Sequence, residues 1–224
     1  MKDIPLIKGR YYISSLVEEG EHEHQDFKFA ISDARKIARS ISAFANNDGG
    51  RLLVGVKDNG VIAGVRSEED IYMIETAAET FCRPSVSVEF TAFKVDPGVV
   101  VIRAVIPKSP APPVNVVEEG GLLRAYYRVA DENILAHPLL LSRWRHQADR
   151  QGTLLQLTDA HRALIDLLRE RHAVTLEEYV LHSHLSTPTA IDIIGRLAAA
   201  SVVTLRYVPA PSASGTSHSL VITI

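Results

Sequence analysis

The sequence predicts an α+β fold, with a mixed sheet covered by helices and a small winged-helix domain behind it. Three observations predict it. Ala34, Ile37, Ala38, Ile41, Phe44 and Ala45 recur at three- and four-residue steps and make one apolar helical face. Residues 99–106 are a run dominated by β-branched side chains, suited to a buried strand. After residue 152 the order becomes three short helical patterns and then two β-rich segments, which is the order of a winged helix-turn-helix.

Taken along the chain, a lead-in containing Tyr11, Tyr12 and Ile13 runs into an acidic stretch at residues 18–24, and residues 26–29 then read as a strand. Ser32 or Asp33 caps the amphipathic helix, and Gly49-Gly50 stops it. Residues 51–56 form a buried strand, Lys57-Asp58-Asn59-Gly60 a tight turn, and residues 61–64 the returning strand. A helix is expected over 68–82, ending before Arg83-Pro84. Strands follow at 86–93 and 99–106, joined by Asp96-Pro97-Gly98. After a proline cluster, residues 114–117 and 122–129 read as a hairpin about the Glu118-Glu119-Gly120-Gly121 turn. A helix over about 134–148 closes a first domain of residues 1–150. The composition break at Asp149-Arg150-Gln151-Gly152 opens a second, 151–224, with helices at 159–171, 176–182 and 188–199. Strands at 202–208 and 220–224 flank a loop at 209–215.

No apolar run approaches the roughly 20 residues of a membrane span, and no apolar signal core follows the N-terminal Lys2, so a cytoplasmic protein is expected. Cys82 is the only cysteine; it lies in an apolar pattern and reads as a buried thiol. The net charge of −3 excludes an indiscriminate, salt-driven coat on DNA. It leaves room for a local cluster of cations.

Three blocks carry more: Asp26-Phe27-Lys28, then Ser42-Ala43-Phe44-Ala45-Asn46-Asn47-Asp48-Gly49-Gly50, then Gly55-Val56-Lys57-Asp58-Asn59-Gly60. In order, spacing and residue type they resemble the signature of the Schlafen-type, AlbA-like nucleic-acid-binding domain, over roughly the first two thirds of the chain. The resemblance implies a nucleic-acid-binding protein, a bacterial-type transcriptional regulator binding DNA ahead of RNA. It also opens an alternative, a metal-dependent endoribonuclease. In Schlafen-type ribonucleases three carboxylates hold a divalent cation, and the matching positions here are Glu21, Asp26 and Asp58, whose oxygens would suit Mg²⁺ or Mn²⁺. Asp26 stands where the family usually has glutamate. Glu21 and Asp26 are an odd number of residues apart, so a turn between them is required before they can face one another.

Lys28, Arg35, Lys36, Arg39, Arg51 and Lys57 fall within or beside these blocks. Arg35 and Arg39 lie one helical turn apart and would reach neighbouring phosphates. In the second domain the expected recognition helix, 187–199, brings only Arg196, with Asp192 beside it, and the wing brings Arg206. From residue 155 onward there are five Lys or Arg against six Asp or Glu, so DNA reading and a dimerisation or packing role both stay open. A homodimer would present a two-fold surface suited to a duplex. His22 with His24, and His182 with His184, are read as exposed polar pairs, because neither has the partners of a structural zinc site. Some relatives bear an ATP-binding label, yet no Gly-x-x-x-x-Gly-Lys-Ser/Thr run is present, so the sequence does not support ATP.

Overall fold

Ile13 and Leu16 are buried, and they anchor a helix that the lead-in does not announce. Strand β1 (Leu6–Lys8) passes through Gly9 into α1 (Arg10–Glu19), and Gly20 ends it. The computed structural model describes residues 4–148, 157–210 and 217–224, so the break at 149–152 and most of the 209–215 loop lie outside the described residues. By internal contacts the chain divides into two units, Met1–Leu135 and Ala136–Ile224.

In the first unit, β2 (Gln25–Lys28) is followed by α2 (Ala34–Asn46), whose start is held by the Asp33 carboxylate accepting the N–H groups of Arg35 and Lys36. A cap of this kind contributes about 1 kcal/mol. Then come β3 (Gly50–Val54), α3 (Glu69–Thr76) with a wider turn over Ala77–Phe81, β4 (Cys82–Arg83), β5 (Glu89–Asp96) and β6 (Val99–Ile106). The main sheet has the order β1-β5-β6-β3-β2. Both outer pairings are parallel and both inner ones antiparallel. One face packs on α1 through Phe27, Leu53, Phe93 and Val101, and the other on α2 and α3 through Leu52, Val54, Ile102 and Ala104.

A second sheet of β4, β7 (Asn115–Val117), β8 (Leu123–Val129) and β9 (Glu132–Leu135) lies against α2. Polar side chains of the Ser42–Asn47 block pin it there. Ser42 Oγ donates to the Val114 carbonyl (2.7 Å) and accepts from Tyr126 N (3.1 Å). Asn46 Nδ2 donates to the carbonyls of Val114 and Tyr126 (2.9 Å each), and its Oδ1 accepts from Val114 N (2.7 Å). These side chains satisfy backbone groups buried between the helix and the sheet.

The second unit holds α4 (Pro138–Gln147), α5 (Asp159–Arg171), β10 (Ala173–Val174), α6 (Leu176–Ser183), α7 (Thr187–Ala199), β11 (Thr204–Ala210) and β12 (Ser217–Thr223). The three strands form one antiparallel sheet in the order β10-β12-β11. Helix α7 packs on α4 so closely that a Cβ at Gly195 would fall 2.6 Å from Ser142 Cβ.

Several expectations need correction. The helix expected over 134–148 starts only at Pro138, a residue suited to a first helical position, and residues 132–135 are strand instead. That helix groups with the second unit. The helix expected over 68–82 is present to residue 81, widening from Ala77 onward, and only Cys82 departs from it as a buried strand residue. Residues 61–64 contribute a single bridge, Val56 to Ile62, rather than a strand. Among the described residues no helix is long and apolar enough to cross a membrane.

Candidate functional site

Between Glu21 and Asp26 the chain doubles back. His22 and Gln25 exchange both backbone hydrogen bonds (3.0 and 3.1 Å), which supplies the turn that the odd spacing requires and sets Glu21 across from Asp26. Glu21 Oε1 accepts the Phe27 N–H at 2.8 Å. Burial, together with a hydrogen bond to the Asp26 carboxyl, pushes the Glu21 carboxyl up to about 7. Asp26 is only 4% exposed. Its Oδ2 lies 2.7 Å from Lys28 Nζ and its Oδ1 3.5 Å from Arg128 Nη2.

Arg128, on strand β8, is the hub of this corner. Its guanidinium donates to the carbonyls of His22 (3.3 Å) and Gln25 (3.1 Å) and to Asn133 Oδ1 (3.0 Å), and it lies 5.0 Å from the Phe44 ring centre. Asp58 stands apart on the exposed 57–60 turn. Among the described residues no three His, Cys, Asp or Glu side chains are grouped to hold a metal ion. A hard cation takes several converging oxygens, and of these carboxylates Glu21 meets Asp26, which itself faces the cations Lys28 and Arg128.

A pH dependence follows from Glu21. Its folded-state value lies above the ordinary 4.5, so the folded chain holds a proton that the unfolded chain has released. Stability should fall as pH rises from about 4.5 to about 7 and level off above that. Denaturant melts across this window should show the decline in the wild type and a flatter profile in Glu21→Gln. Parallel profiles would remove Glu21 as the cause.

The cations are spread over several surfaces. Arg35, Lys36 and Arg39 on α2, with Arg124, border a cavity of about 310 Å³. Carboxylates from the 118–121 turn share it. Arg39 meets Glu118 through two bonds, Nε to Oε1 at 2.9 Å and Nη2 to Oε2 at 2.8 Å, and the Tyr126 hydroxyl donates to Glu118 at 2.6 Å. The Arg39 guanidinium holds the Glu118 carboxyl below its usual range. Arg35 Nη1 lies 3.4 Å from Glu119 Oε1. The helical arginines thus already face an anion supplied by the chain. Lys57 and Arg66 both sit over the Phe29 ring, at 5.3 and 4.6 Å.

Arg51 points to the α1 side of the main sheet, where it donates to Gln25 Oε1 (2.7 Å) and pairs with Glu19. There it joins His24, Arg103 and Lys108 around a groove of about 380 Å³ floored by Gly49-Gly50. Asp48 is the acidic residue of that lining and pairs with Lys108 at 2.6 Å. The Arg103 guanidinium lies over the rings of Tyr12 (5.5 Å) and Phe93 (5.3 Å). Neither Arg103 nor Lys108 was singled out from the sequence. The available signal was Arg103 itself, the one charge in the run 99–106.

His24 Nδ1 lies 3.0 Å from the Gly49 carbonyl oxygen, and His22 Nε2 lies 3.6 Å from Glu19. Both belong to the 22–25 turn, while His182 lies in the last turn of α6 and His184 caps it in the left-handed region. In the second unit Arg196 binds Asp192 (2.9 Å), which also meets His146 (2.9 Å), and Arg206 is exposed on β11.

Residues 21–137 match the protein family described as Schlafen, AlbA_2. Among solved structures the chain is similar to the DIP2311 protein from Corynebacterium diphtheriae, with 18% identity and a TM-score of 0.44. The match covers 77% of this chain and 32% of that one, so the chain spans about a third of that protein. No curated protein matches.

Proposed function

This chain belongs to the Schlafen AlbA_2 family, which is associated with nucleic acid, and from that premise we propose that its first unit binds the phosphate backbone of DNA or RNA. The observation that carries the reading is the groove at Gly49-Gly50, where His24, Arg51, Arg103 and Lys108 converge with Asp48 as the acidic residue. Phosphate contacts need such a local cluster rather than a basic chain, so the net charge of −3 is no obstacle. In that groove Arg51 pairs with Glu19 and Lys108 with Asp48, as Arg35 and Arg39 on α2 pair with Glu119 and Glu118. Arg103 has no carboxylate partner among the described residues and is the cation most open to a phosphate.

The second unit follows winged-helix order, and we assign it to packing or dimerisation in a regulator rather than to groove reading. Ile193, Ile194 and Leu197 of α7 are buried, and Arg196 is held by Asp192. A recognition helix needs free donors toward the bases. The endoribonuclease alternative is disfavoured by the placement of Asp26 and Asp58.

The test is titration of labelled DNA and RNA at several salt concentrations. Replacing Arg103 and Lys108 together by Gln should weaken binding about tenfold and lower the salt slope by about two phosphate contacts. Unchanged affinity would remove the groove as the binding surface. Cleavage in Mn²⁺ that is lost with Asp26→Asn would restore the nuclease reading.

A further inference from the structure

Arg103 differs from the other cations of the groove in what holds it. One carboxylate of this chain faces Arg51 and another faces Lys108. Among the described residues the Arg103 guanidinium rests instead on neutral groups. Its Nη1 donates to the Tyr12 hydroxyl, and its Nη2 lies 3.5 Å from Thr91 Oγ1. The same guanidinium lies 5.5 and 5.3 Å from the ring centres of Tyr12 and Phe93. Of these contacts, Tyr12 alone supplies both a hydroxyl and a ring.

Strand register and the seat of α1 bring these groups together. Arg103 stands opposite Thr91 in the β5–β6 pair, and Phe93, two residues along β5, shares that face. Phe93 and Val101 pack toward α1, so Arg103, two residues past Val101, emerges on the α1 side as well. Tyr12 lies in the first turn of α1, and its ring centre is 5.0 Å from that of Phe93, which supports the ring from the sheet. A carboxylate partner would hold the guanidinium by neutralising it, and an arriving phosphate would have to displace that partner. Hydroxyls and ring faces orient the guanidinium and leave its charge whole. An arginine ordered before the ligand arrives loses less rotamer freedom on binding, and such pre-organisation raises affinity.

We propose that Tyr12 is a positioning residue of the groove, holding the uncompensated Arg103 guanidinium in place for a phosphate. The inference rests on the phosphate-binding reading above and adds the residue that makes its most open cation ready. Tyr12 acts through Arg103 and not by touching the ligand.

The experiment is a double-mutant cycle on the full chain, read by fluorescence anisotropy with labelled duplex DNA and labelled structured RNA. Arg103→Gln should weaken binding about fivefold. Tyr12→Phe removes the hydroxyl acceptor and keeps the ring, and should weaken binding about twofold. Tyr12→Leu removes both and should weaken it about fourfold. In an Arg103→Gln background both Tyr12 substitutions should become silent. A Tyr12 that served the fold alone, or met the ligand itself, would cost the same in either background, so equal losses overturn the positioning role. Tyr12 substitutions without effect on the wild type overturn it as well. A wild type that binds neither probe, or an affinity unmoved by Arg103→Gln, would overturn the groove reading and the positioning role together. Tyr12→Phe retains the packing on Phe93 and should melt with the wild type, so its own cycle tests the proposal even where Tyr12→Leu lowers stability.

Discussion

Replacing Arg128 by Met should cost the first unit about 3–5 kcal/mol, enough to unfold much of it at moderate temperature. The Arg128 side chain is 1% exposed, and four partners depend on it: the Asp26 carboxylate, the carbonyls of His22 and Gln25, and Asn133 Oδ1. Met fills the volume of the stem against Phe44 but donates nothing. Asp26 would stay buried with Lys28 as its one remaining counter-charge, and the carbonyls of His22 and Gln25 and Asn133 Oδ1 would lose their donor, which together make up the loss. The double variant Asp26→Asn with Arg128→Met removes that charge and should regain part of the stability. Chemical denaturation followed by circular dichroism measures both. A single variant within about 1 kcal/mol of wild type would mean that Arg128 is not the hub described.

The second large effect is expected at Gly55. Its φ is 96°, and an added Cβ would lie 2.7 Å from both Gly64 C and Val65 N, backbone atoms with little room to yield. Gly55 is also tied on both sides, its N–H to the Lys28 carbonyl (2.8 Å) and its carbonyl to Ala63 N and Gly64 N (2.9 Å each). Gly55→Ala should therefore cost about 3 kcal/mol or more, combining backbone strain with overpacking. Gly98→Ala provides the comparison, because φ there is 77° but nothing lies within 4 Å of the added atom. It should cost only the conformational share, about 1–2 kcal/mol. Equal losses at the two positions would contradict the crowding at Gly55.

What the sequence disclosed depended on how local the cause was. Helix α2 was readable because its apolar repeat, the Asp33 cap and the glycine stop all lie within 20 consecutive residues. Strand β6 was equally plain from Val99, Val100, Val101 and Ile102. Helix α1 was not, because only Ile13 and Leu16 of its ten residues are buried and the rest, Val17 apart, is polar or aromatic. Pro138 carried the start of α4, but the apolar run before it drew the boundary too early. In the site, the parity of Glu21 and Asp26 called for a turn, and one is present. Arg128, the second cation facing Asp26 beside the local Lys28, comes from a strand about 100 residues downstream, and the carboxylates facing Arg35 and Arg39 from a turn about 80 residues away. No local pattern contains pairings of that span.

The corner at Glu21 also bears on self-association. β2 is an outermost strand, and an uncovered outer strand invites a second chain to add to the sheet. Its outward backbone groups are all taken. The Phe27 N–H goes to Glu21 and the Phe27 carbonyl to Lys28 Nζ (2.8 Å), while Gln25 O receives Arg128 and His22 N, and Gln25 N–H goes to the His22 carbonyl. The opposite border, β1, is three residues long, follows Pro5 and ends in Lys8 before the chain turns into α1. One border is sealed by charged side chains and the other is cut short, so the sheet gives an incoming strand almost nothing to copy. The carboxylates and cations that first read as chemistry also keep this sheet from growing.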